Sequence, residues 1–143
     1  MKRFEFRLQK ILRLREYYEK QWEARLAEAN ADCAAVEAAI GKARDDRSRV
    51  VSEGLPGDVD DMLYRERFVS FIDTELERRN NELKENNEKR VEVREGYQQA
   101  AAARKALEKL KEKKAAEHHK VSNRHEILAL DDLGRPGRNR SDQ

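Results

Sequence analysis

Two apolar stripes with helical spacing run along the chain, separated by one cluster of helix breakers. The first passes through Leu8, Ile11, Arg15, Tyr18, Trp22, Leu26, Ala29, Cys33, Val36, Ile40, Ala43, Arg47 and Val50. Its steps alternate three and four residues, the coiled-coil period, with one added step of four, a stutter, between Tyr18 and Leu26. The second runs unbroken through Met62, Arg65, Val69, Ile72, Leu76, Arg79, Leu83, Asn86, Arg90, Val93, Tyr97, Ala100, Arg104 and Leu107. Between the stripes, residues 53–58 read EGLPGD, and Gly54, Pro56 and Gly57 cannot continue a helix. Asp58 is placed to cap the helix that follows, with Asp61 three residues on in the manner of a capping box.

A chain that reverses at this turn brings the two stripes face to face. Ile40 then meets Ile72, Val36 meets Leu76, Ala29 meets Leu83 and Val50 meets Met62. The predicted fold is all-α, a long antiparallel two-helix coiled-coil hairpin. A single domain covers residues 1–133, with helix one over about 4–52, the turn at 53–58 and helix two over about 59–130. The cluster from Gly134 onward predicts a short disordered tail, 134–143. By the same register Phe4 reaches Leu107, so Glu108 to Leu130 would project without a partner and fray.

Composition agrees with this architecture. Charged residues make up 42% and aromatics 6%, too little apolar surface for an ordinary globular core but enough for paired helices. The net charge of +2 conceals a segregation. Residues 1–20 hold seven bases and three acids, a balance of +4, and residues 104–125 hold eight bases and three acids, a balance of +5. The turn, 53–61, holds four acids and no base. The hairpin is therefore expected to carry a basic, aromatic open end and an acidic turn. Such an end suits an acidic opening or a phosphate surface, and equally a plain solvated coiled-coil end.

Catalytic motifs are missing. The sequence has no phosphate-cradling glycine loop, nucleophile elbow or HExxH, and no pocket is expected that would tune its carboxylates. His118, His119 and His125 read as exposed helix surface, since His118 and His125 stand about 10 Å apart along a helix. The single cysteine, Cys33, lies among alanines and reads as a small buried thiol in the seam. No enzyme activity, metal or cofactor is expected. With neither a signal-peptide core nor a membrane span, the expected location is cytoplasmic. One patch departs from the seam: Tyr64, Phe68 and Phe71 repeat just after the turn. Phe68 could widen the core against Ala43, whereas Tyr64 and Phe71 lie off the interface, as a binding face would.

MKRFEFRLQKILRLREYYEKQ resembles the start of the flagellar export protein FliJ family, which opens with F-x-F-R-L and a K-[IV]-L-x-L-R-E stretch. RKALEKLKEKK and LALDDLG are similar to that family's second-helix end, and YRERFVSFIDTEL to its post-turn segment, whereas HHKVSNRH departs from it. The resemblance implies a fold like the stalk subunit of rotary ATPases. It also implies a role as a non-enzymatic part of flagellar type III export. Its implied partners are the ring of the flagellar export ATPase (FliI), the export-gate protein FlhA and export chaperones, with no nucleic acid or small-molecule substrate. The matched positions at the open end are Phe4, Phe6, Arg7, Leu8, Lys10, Leu12, Arg13 and Arg15, of which Phe4, Phe6, Arg7, Lys10 and Arg13 are the expected ring contacts. Near the turn Phe68 and Ile72 match residues the family uses towards the gate, and with Tyr64 and Phe71 they form the expected gate face. The implied location is the cytoplasmic face of the membrane at the flagellar base. The alternatives are a generic coiled-coil scaffold and a basic-tipped binder of nucleic acid or anionic membrane.

Overall fold

The computed structural model describes residues 2–53 and 57–134. Two helices account for nearly all of them: α1, Gln9–Ser52, and α2, Val59–Leu133. They pair antiparallel, which bears out the all-α hairpin. Both sequences are rich in Ala, Glu, Arg, Lys and Leu, the residues that lose least on entering a helix. The expected cap is present, because the Asp58 carboxylate accepts the backbone N–H of Asp61 at 2.8 Å. Gly134 closes α2 by donating its N–H to the carbonyl of Leu130 at 2.8 Å. The middle of the expected turn, 54–56, and the expected tail beyond Gly134 lie outside the described residues.

The chain divides into a central unit, Lys20–Gln99, and a terminal unit made of the residues up to Glu19 and those from Ala100 on. Each contains a piece of both helices. In the central unit the core is a thin line, with Cys33, Val36, Ile40 and Ile72 buried. Cys33 is sealed in the seam as expected, its Sγ donating to Asn87 Oδ1 at 3.6 Å.

The register differs from the expected one by about a heptad. Arg47 Nε binds Asp73 Oδ1 at 2.7 Å, so Ile72 lies at the level of Arg47, not of Ile40. Cys33 likewise meets Asn87, and Trp22 packs on Gly96. Phe68 shares a cleft with Val50 and Glu53 instead of covering Ala43. The pairings of Ile40 with Ile72, Val36 with Leu76, Ala29 with Leu83 and Val50 with Met62 are therefore replaced by pairings one heptad along. A slip of seven residues returns apolar positions to apolar positions, so periodicity cannot exclude it. Because α1 ends at the level of Phe68, the first turns of α2 run past it, and Val59, Met62 and Leu63 are exposed.

Gly96 shows what favours this register. A methyl group there would sit within 2.7 Å of Cζ3, Cη2 and Cε3 of Trp22. Glycine inside a helix costs about 1 kcal/mol relative to alanine, and here it admits an indole that no side chain would allow. We expect Gly96→Val to lower stability by about 1–3 kcal/mol through overpacking. It should also shift the emission of Trp22, the one tryptophan of the chain. Unchanged emission with a higher melting temperature would show that the indole does not need this space.

In the terminal unit Leu12 is 2% exposed, while Ile11 and Tyr18, the expected seam residues, are 45% and 44% exposed. The seam instead passes through Leu8, Leu12, Glu16 and Glu19, so two consecutive steps of four fall between Leu8 and Glu16 and not between Tyr18 and Leu26 as expected. Apolar spacing misleads here because two seam positions of α1, Glu16 and Glu19, are charged; Glu19 pairs with Arg104 of α2, which also binds Glu108 at 2.6 Å. The bond with Glu19 raises the Arg104 guanidinium further above its ordinary value, against the opposing effect of desolvation. Helix one also starts at Gln9 rather than near Phe4.

Candidate interaction surfaces

Residues 2–6 precede α1 in a non-helical conformation. Phe4, Phe6 and Leu8 are half-buried, while Arg3, Glu5 and Arg7 are exposed. That alternation with a period of two is what an extended chain laid on a surface produces. The segment is a strap across α2. The Phe4 ring stands 5.6 Å from His118, tilted by 52°, a usual geometry for paired rings. Phe4 therefore reaches His118 and not Leu107, and the unpartnered part of α2 begins later than expected. His118 is half-buried beneath the strap, which corrects the expectation that all three histidines are open surface. His119 lies 3.3 Å from the Asn123 amide, and His125 is exposed. Among the described residues no group of His, Cys, Asp or Glu could hold a metal ion.

Two clefts flank the strap. One, of about 630 Å³, is floored by Phe4, Phe6, Leu8 and Leu110 and rimmed by Lys2, Arg3, Lys114 and His118. The other, of about 750 Å³, is lined by all five residues expected to contact a ring, Phe4, Phe6, Arg7, Lys10 and Arg13, together with Lys111. Arg7, Lys10 and Arg13 are exposed, and Glu5 is the one acid of either lining. An apolar floor under a cationic rim can hold an apolar side chain while attracting the acids around it. The alternation in KRFEFRL is visible in the sequence, yet a helical reading absorbs it because only one short period marks the strap.

The central unit holds the post-turn aromatics. Tyr64 and Phe71 are 74% and 66% exposed, as expected for residues off the interface. Phe68 is half-buried against Val50. Ile72 is 5% exposed and packs in the seam, so the outward face consists of Tyr64, Phe71 and the edge of Phe68.

No helix among the described residues is long and apolar enough to cross a membrane. No curated protein and no solved structure matches the chain. A protein-family model does: that described as the flagellar FliJ protein matches residues 4–140.

Proposed function

The chain belongs to the flagellar FliJ protein family, whose membership implies a role in flagellar protein export, and on that premise we propose how its surfaces serve the role. The terminal unit seats in the centre of the export ATPase ring and promotes the ring's assembly. Phe4 and Phe6 anchor the contact, while Arg7, Lys10 and Arg13 meet acidic groups of the ring lining. Tyr64, Phe68 and Phe71 contact the export gate, FlhA, with Ile72 holding their helix in place from behind. The hairpin links ring to gate, escorts export chaperones and catalyses nothing itself. It works at the cytoplasmic face of the flagellar base.

The observation that carries this reading is the strap, where aromatic side chains and exposed cations share one cleft. Arg7 and Arg13 lie outside the seam and are exposed, so their charge is available to a partner. Replacing both, as Arg7→Glu with Arg13→Glu, exchanges two attractions for two repulsions. Binding to the purified ATPase should weaken about 10- to 100-fold, with a reduced dependence on salt. Helix content should hardly change, because Glu and Arg have similar propensities. A titration alongside circular dichroism measures both. Equal affinity with intact helices would leave the basic end a solvated terminus and favour the scaffold reading.

A further inference from the structure

The residues that leave the seam in the first turns of α1 form a second stripe. Ile11, Leu14 and Tyr18 are 45%, 48% and 44% exposed. Their spacing of three and four residues is the coiled-coil period, on a helix whose opposite side is already occupied by Leu12. A helix packed against one neighbour needs one apolar stripe, and this segment has two.

The charges beside the stripe identify what it accepts. Lys10 and Arg15 flank it, and both are exposed. The acids of the same segment, Glu16 and Glu19, lie on the side of Leu12. Glu16 is half-buried there, and Glu19 is held by Arg104. The open face is thus apolar and cationic without an acid of its own. A second copy of this chain would bring like charges together across the contact. Nucleic acid would use the bases but leave three apolar side chains with nothing to pack on. A bilayer surface favours a longer and more continuous apolar face than these two turns present.

We infer that the Ile11–Leu14–Tyr18 face of α1 docks an acidic amphipathic helix of another protein, which packs as a third strand against the hairpin. Leu or Ile side chains of that helix would interdigitate with the stripe, and its flanking acids would pair with Lys10 and Arg15. This site shares Lys10 with the strap cleft, but its apolar stripe and Arg15 lie outside that cleft, so it does not depend on the strap entering an ATPase ring.

The test uses the full chain and a labelled synthetic helix of three heptads, with Leu at the two seam positions and Glu at the flanking ones. Fluorescence anisotropy should show saturable binding. Leu14→Ser with Tyr18→Ser should weaken it at least tenfold, and so should Arg15→Glu. Replacing the peptide's Glu by Lys should abolish it. Circular dichroism should be unchanged in each variant, since all three side chains are exposed. The inference is overturned if the acidic peptide does not bind, or if it binds the variants as well as the parent. It is equally overturned if Phe4→Ser removes binding while Leu14→Ser with Tyr18→Ser does not. Sedimentation showing a dimer that Leu14→Ser disperses would assign the face to self-association instead. Loss of binding to phosphatidylglycerol vesicles in the same variant, without peptide binding in the parent, would assign it to membrane.

Discussion

Asn87→Cys is expected to form an intramolecular disulfide with Cys33, and Arg79→Cys is not. Cys33 Sγ lies 3.6 Å from Asn87 Oδ1, so a thiol placed at residue 87 starts within reach of the chain's one native cysteine. A disulfide requires a sulfur separation near 2.05 Å, which a small adjustment of two side chains on facing helices can supply. Residue 79 would hold that position only if Ile40 faced Ile72. The bridge would close a loop of more than fifty residues, for which the chain-entropy model gives a stabilisation of about 4 kcal/mol. Thiol titration after mild oxidation, with non-reducing electrophoresis to show that the product is monomeric, reads out the bond. Denaturation with and without reductant reads out the stabilisation. A bridge in the Arg79→Cys protein, combined with two free thiols in the Asn87→Cys protein, would reject the observed register.

Leu12→Ala should be the most damaging single truncation in the terminal unit. Leu12 is 2% exposed, and removing a buried leucine side chain to alanine costs about 2–5 kcal/mol. Two paired helices have no second layer to relax into the cavity, which places the effect towards the upper end of that range. Ile11→Ala, at a neighbouring position 45% exposed, should cost under about 1 kcal/mol. Urea denaturation followed at 222 nm compares the two directly. Equal losses would mean that Ile11 shares the seam and that the second stripe of α1 does not exist.

These two experiments probe what is hardest to read from residues alone. Apolar position marks the seam well where the seam is apolar, from Trp22 through Cys33 and Val36 to Ile40. It fails where Glu19 and Arg104 occupy seam positions, because a charge in a stripe reads as a break while a paired charge in a structure does not. Apolar spacing then leads through Ile11 and Tyr18 onto the open face. The strap is hidden for another reason. Phe4, Phe6 and Leu8 share a period of two, but three residues cannot outweigh the long helical pattern beginning immediately after them. Tyr64 and Phe71 are legible as outward residues because their offset from the stripe does not depend on the register chosen.

Local propensity and the presence of two apolar stripes on one chain were enough to specify the two helices, the breaker between them, the Asp58 cap and the antiparallel pairing. The residues also carried the family motif at the N-terminus and the segregation of charge. Which residue faces which was settled by the packing of the folded chain alone. A heptad repeat is nearly unchanged by a slip of seven, so the burial energy of the stripes differs little between registers. The choice falls to contacts that do not repeat: Trp22 over Gly96, Cys33 with Asn87, Arg47 with Asp73 and Glu19 with Arg104. Each joins residues far apart in the chain, and each is lost on a slip of one heptad.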